Sequence, residues 1–285
     1  MIPKKNQAQI RVMQEGGKRL SWVLSQVLKE IKPQVALWQL DKLAENLIKK
    51  QGGQPSFKMV PGYRWTTCIN INKGVVHGIP GEYQLKEGDL VSLDMGMFYP
   101  PAGGFHTDVA RTLCVRTQNS PAKRDPAPRE KLKTQKDVFL EVGEKALKKA
   151  IGMAKADNRV GHISQAMEEV IREAGFSPIE VLTGHGIGEK LHEEPQIPCL
   201  LSEKLEKTPL LENGMVLAVE VIYVQGEPEV ILNHDGWTIK TADGKLAGLF
   251  EDTIVIDKDK PLVLTRLNKN LPSAEPCFSN KNLPT

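Results

Sequence analysis

Four acidic residues interrupt segments that otherwise read as buried β-strands. Asp94 sits in LVSLDMG, Asp108 in FHTDVARTL, Glu220 in VLAVEVIYV and Glu251 in GLFEDTIVI. A carboxylate moved out of water is destabilising unless something compensates it. One such residue reads as well as an outward-facing strand position. Four in one predicted sheet could all point at one place. Basic residues inside the same strands are scarce, Arg111 being the main one. One or two divalent cations would balance four buried negative charges.

The rest of the chain supplies a frame for such a sheet. Ile10, Met13, Gly17, Leu20, Leu24, Val27 and Ile31 recur three and four residues apart, which predicts a helix ended by Pro33. A second helix is expected over Leu37–Lys50, stopped by Gly52-Gly53. From Thr67 to Val115 short apolar segments, CINI, LVSLDMG and FHTDVARTLCV, read as strands, with YPPAGG as a hairpin connection. Helical periodicity returns near Val138–Ile151 and Ile163–Ala174. VLAVEVIYV, GWTIK and LFEDTIVID then read as strands. The order helices, strands, helices, strands predicts an α+β arrangement of two similar halves. The polar, proline-containing stretch 116–133 is expected to be an exposed loop, and 268–285 a loose tail, leaving 1–267 as a single domain.

Composition narrows the function classes. With 285 residues, 40% hydrophobic and 26% charged, the chain is long enough and apolar enough to bury a core. A net charge of +3 implies no strong electrostatic partner, so DNA is not expected. No apolar stretch approaches the roughly 20 residues of a membrane span. The N-terminus also lacks a secretory signal, so a cytoplasmic protein without membrane contact is expected. Cys68, Cys114, Cys199 and Cys277 form no C-x-x-C pair and read as reduced thiols.

Histidine adds to the acidic set. In GHGIGEKLHEEP, His185 lies between two glycines and His192 follows, before an acidic turn closed by Pro195; His77 lies in VVHGIP. A lone histidine is more often core or surface, and the glycine-flanked setting favours a site. One imidazole with four carboxylates is a hard, oxygen-rich set that suits paired Mn, Fe, Co or Zn ions better than a structural zinc. Bridging carboxylates would hold two ions about 3.5–4 Å apart, an arrangement for hydrolysis at an amide.

CININKGVVHGIP, LVSLDMG, GGFHTDVART, GHGIGEKLHEEP, VLAVEV, GWTIKT and FEDTIVI occur in an order and spacing that resembles the type I methionine aminopeptidases, over roughly Ile10–Leu264. The resemblance implies the pita-bread fold: two pseudo-symmetric α/β halves, a central curved antiparallel sheet and helices outside. It implies metal ligands at Asp94, Asp108, His185, Glu220 and Glu251, with Asp108 and Glu251 bridging. Catalytic roles would fall to Glu220 as proton acceptor, His192 at the developing oxyanion and His77 near the amide nitrogen. A methionine pocket would involve Phe57, Tyr63, Cys68, Leu191 and Trp237, with His77 and His192 also touching substrate. The implied activity is removal of the N-terminal methionine from nascent chains with a small second residue, by a monomer using two divalent ions.

Two positions depart from the family pattern: Val221 stands where Pro is usual and Asp252 where His is usual. The Glu-Asp pair also occurs in proline-directed peptidases of this fold, which makes them the alternative enzyme. A catalytically inactive peptide-binding relative is the other alternative, and all five ligand positions being suitably filled argues against it. The short interval between His192 and Glu220 leaves no room for a type II subdomain. Arg116, Lys123, Arg124, Arg129, Lys131 and Lys133 give the 116–133 loop a ribosome-contact reading, against the plainer one of a solvated loop.

Overall fold

A computed structural model describes residues 2–116 and 133–267. The loop expected at 116–133, apart from its ends, and the tail at 268–285 lie outside the described residues. The helices are α1 (Gln7–Lys29), α2 (Leu37–Lys50), α3 (Gln135–Met153) and α4 (Val160–Glu173). The strands are β1 (Gln54–Pro55), β2 (Thr67–Ile71), β3 (Gly74–Val76), β4 (Leu90–Tyr99), β5 (Phe105–Cys114), β6 (Ser177–Pro178) and β7 (Thr183–Gly186). They continue with β8 (Glu193–Pro198), β9 (Val216–Val224), β10 (Val230–Leu232), β11 (Ile239–Thr241), β12 (Ala247–Val255) and β13 (Leu262–Val263).

Local chemistry explains several boundaries. Asn6 opens α1 by accepting from the Ala8 and Gln9 amides, while the Gln9 side chain returns to the Asn6 amide. The helix ends at Lys29 rather than at Pro33, because the residue before a proline avoids the helical region and Gln34 turns left-handed at φ 72°. Ile31 stays buried beyond the helix end. The strand expected at GWTIK begins only at Ile239. Before it, the Asp235 carboxylate accepts from the Trp237 and Thr238 amides and curls that stretch into a turn.

The main sheet has the order β1-β4-β5-β12-β9-β7-β8, with β2, β6 and β13 pairing at its sides. Its described pairings are antiparallel. A smaller sheet runs β10-β11-β3. On β4, Val91, Leu93, Met95 and Met97 join an apolar core with α1 and α2. On β9, Leu217, Val219 and Val221 join a second core with α3 and α4. Alternate residues, including Asp94 and Glu220, therefore face away from the helices. Each half puts two helices on its part of one sheet, as the α+β reading and the pita-bread resemblance expected.

Cys68 and Cys199 are buried free thiols, whereas Cys114 is disulfide-bonded. That corrects the expectation of reduced thiols at Cys114, because spacing along the chain does not reveal which cysteines approach in space. No described helix is long and apolar enough to cross a membrane.

The packing of α3 is close at Gly143, where a Cβ would collide with the Phe250 ring and lie 2.7 Å from the buried Tyr223 hydroxyl oxygen. Gly143→Ala is expected to destabilise the fold by about 1–3 kcal/mol through overpacking. An unchanged urea midpoint would contradict this helix–sheet contact.

Candidate active site

Five neighbouring strands, β4, β5, β12, β9 and β7, each carry one of the five residues singled out as ligands. Asp94 and Glu251 both stand opposite Ala110, and Glu251 stands opposite Glu220. These positions form one row across the sheet. Asp108 is two residues from Ala110, and His185 is opposite Ala218, two residues from Glu220. With a side-chain period of two, all five project from the same face. β7 was not anticipated as a strand, because Thr183–Gly186 is short and glycine-rich. Gly184 and Gly186 are required by close approach: a Cβ would strike the Ala218 carbonyl at the first and the Glu194 carbonyl at the second.

Asp94, Asp108, His185 and Glu251 are 9%, 4%, 8% and 2% exposed. Asp108, His185 and Glu251 bring donor atoms within 4.8 Å of one another. Glu220 Oε1 lies 3.4 Å from His185 Nε2. His185 Nδ1 is 2.9 Å from the Gly186 carbonyl oxygen, which assigns the proton to Nδ1 and turns the Nε2 lone pair toward Glu220. Asp94 Oδ1 and Glu251 Oε1 are buried without a hydrogen-bond partner. Orphaned acceptors and an imidazole lone pair facing a carboxylate are the arrangement a hard or borderline divalent cation would satisfy.

The electrostatics agree. Burial raises the Asp94 carboxyl well above its ordinary value, with Asp108 and Glu220 adding to it. Burial raises Asp108 to about 7. Glu220 is pushed up by burial and Asp108, and Glu251 by burial followed by Asp108, Glu220 and Asp94. Burial, then His192, lowers His185 to about 4, so the imidazole is neutral at pH 7. Protons hold this cluster together in the absence of a cation.

A cleft of about 780 Å³ opens onto this face. Of the five residues, His185 and Glu220 line it, together with His77, His192 and Phe105. His77 follows β3 in the left-handed region at φ 57°, a conformation uncommon for histidine. It is exposed to the cleft, and its pKa is lowered by desolvation and then by His192. The His192 and His185 rings meet edge to face with centroids 4.5 Å apart.

Phe57, Tyr63, Cys68, Leu191 and Trp237 share one apolar cluster with Phe105. Tyr63 packs against Trp65 and Trp237 with centroids 5.2 and 5.1 Å away, and its hydroxyl donates to the Thr67 carbonyl at 2.9 Å. Cys68 is opposite Asp94, so the cluster adjoins the acidic row. These five residues are not in the walls of the open cleft, whose apolar lining includes Phe105, Val76 and Leu182. Sequence reasoning missed Phe105, which strand alternation from Asp108 did not flag. It also missed Lys5, whose buried ammonium lies 2.5 Å from Glu193 Oε2 beside His192 and which no sequence signal marks.

Metallopeptidase family M24 matches residues 11–258. Methionine aminopeptidase from Clostridium perfringens is 38% identical over 93% of this chain and 99% of its own length. Methionine aminopeptidase 1 from Bacillus subtilis is 37% identical over 94% and 100%. The crystal structure of the Thermotoga maritima methionine aminopeptidase aligns with TM-score 0.83 at 34% identity, covering 93% of this chain and all of the other. Prolidase from Pyrococcus furiosus, at 22% identity and TM-score 0.69, covers 93% of this chain and 66% of its own, and shows the shared fold. The chain belongs to metallopeptidase family M24 and is a hydrolase. The family implies use of a divalent metal.

The raised carboxyls set a pH dependence for metal-free protein. Their folded pKa values exceed the unfolded ones, so the folded state binds more protons and loses stability as pH rises through them. The lowered histidines act with the opposite sign, but their contribution is complete above the unfolded value of 6.5. In chelator, Tm should therefore fall between pH 6.5 and 8. A flat or rising Tm in that window would contradict the buried cluster.

Proposed function

We propose that this chain removes the N-terminal methionine from nascent proteins and peptides, with preference for a small second residue. The observation that carries the reading is the convergence of Asp94, Asp108, Glu251, Glu220 and His185 on one sheet face, beside an apolar cluster and under a histidine-lined cleft. The similarity to methionine aminopeptidases over nearly the whole chain supports it.

Those five residues would hold two divalent ions. When bound, the ions supply Lewis acidity toward the scissile carbonyl and lower the pKa of water in the site. Glu220 is the only one of the four carboxyls in the cleft wall, which suits it to accept the proton of the attacking water. His192, beside His185, donates to the oxygen where negative charge develops. The left-handed turn at His77 directs its imidazole into the cleft, where it positions the amide nitrogen. Aromatic rings and the Cys68 sulfur suit a polarisable thioether, and the closed packing of the cluster excludes water from it.

His192→Ala should lower kcat by ~10²–10³ while leaving metal content unchanged, the scale for losing one oxyanion donor. Parallel loss of metal would instead make His192 structural. Met-Ala-Ser should be cleaved in preference to an X-Pro peptide, and the reverse preference would overturn the methionine reading in favour of a proline-directed one.

A further inference from the structure

The seam between β5 and β12 separates Asp108 from Glu251, and it is built differently from its neighbours. β12 pairs with β9 along its whole length, but with β5 only at Glu251↔Ala110 and Asp252↔Val109. Side chains close the remainder. Thr253 Oγ1 accepts from the Asp108 amide and donates to the Asp108 carbonyl, both at 2.8 Å. Arg111 reaches across the seam, with Nη2 2.9 Å from each oxygen of Asp252, and Nη1 donating to the carbonyls of Ala110 and Glu251. Asp252 Oδ1 also accepts from Thr265 Oγ1 at 2.9 Å, and that hydroxyl accepts from the Thr253 amide at 2.9 Å. The connections run without a break from the backbone of Asp108 through Thr253, Thr265, Asp252 and Arg111 to the backbone of Glu251.

We propose that Arg111 and Asp252 are positioning residues that fix the separation of Asp108 and Glu251, and thereby the affinity and coordination geometry of the cation centre. This rests on the reading of those two residues as metal ligands. A two-pair backbone ladder leaves the spacing of the two strands loosely set, whereas a guanidinium whose Nη2 meets both Asp252 oxygens while Nη1 grips a carbonyl on each strand is held from both sides by charge-assisted bonds. The pair is also shielded: the Arg111 and Asp252 side chains are 17% and 9% exposed, so water screens it little. Asp252 would otherwise place another buried negative charge next to Glu251. Arg111 neutralises it while gripping the Glu251 carbonyl. A histidine, usual at this position by resemblance, could not accept both Nη2 bonds. Asp252 and Arg111 therefore act as a unit.

The test is calorimetric titration of the metal-free full chain with Co²⁺, paired with the visible absorption spectrum of the Co²⁺-loaded protein. Wild type is compared with Arg111→Gln, Asp252→Asn and the double variant, at a temperature where circular dichroism shows each folded. Each single variant should weaken Co²⁺ binding by ~10–100-fold, the range for outer-shell partners, and change the visible bands. The double variant should lose little more than the worse single one, because the two residues form one unit. If Arg111→Gln fails to fold, Thr265→Val, which removes the bond to Asp252 and the one from the Thr253 amide and keeps the shape, should show a smaller loss in the same direction. Folded variants that bind Co²⁺ within about twofold of wild type with an unchanged spectrum would overturn the proposal and leave the metal-centre reading intact. Failure of wild type to bind Co²⁺ would overturn the metal-centre reading itself.

Discussion

Asp94, Asp108, Glu251 and Glu220 occupy one patch of sheet, and at neutral pH their mutual repulsion has to be met by positive charge or by retained protons. Among the described residues no cationic side chain is placed to do so. Arg111 is engaged by Asp252 and backbone carbonyls, and His185 is held neutral by burial. The rest of the architecture follows from keeping that patch together. The antiparallel pairings align the acids, the two helix-backed cores stiffen the opposite face, and the glycines around His185 let β7 approach β9 at Gly184 and β8 at Gly186.

Burial divides the patch in line with the proposed roles. Asp94, Asp108 and Glu251 are sealed in the sheet, which fits groups that hold an ion. Glu220 reaches the cleft, which fits a group that exchanges a proton with entering water. The histidines His77 and His192 approach from outside the sheet, one from a left-handed turn after β3 and one just before β8. The apolar cluster adjoins the acidic row through Cys68, so a hydrophobic side chain and a scissile amide could be bound side by side.

Much of this was legible before the fold. Carboxylates within apolar strand segments flagged the patch, and α2 runs over Leu37–Lys50 as its periodicity indicated. Convergence was implied by the resemblance and not by the strand segments alone, because it depends on cross-strand register, which strand patterns one at a time do not specify. β7 was hidden by glycines, and the turn at Trp237 by an aspartate capping its own neighbours. Asp252 and Arg111 were each conspicuous as residue types. Their pairing appears only when β5 and β12 lie side by side.

Anomalous diffraction from crystals grown with Mn²⁺ tests most directly the proposal that this patch binds a pair of cations. The account predicts two peaks about 3.5–4 Å apart, bounded by Asp94, Asp108, His185, Glu220 and Glu251. Peaks elsewhere, or none within reach of those side chains, would contradict it.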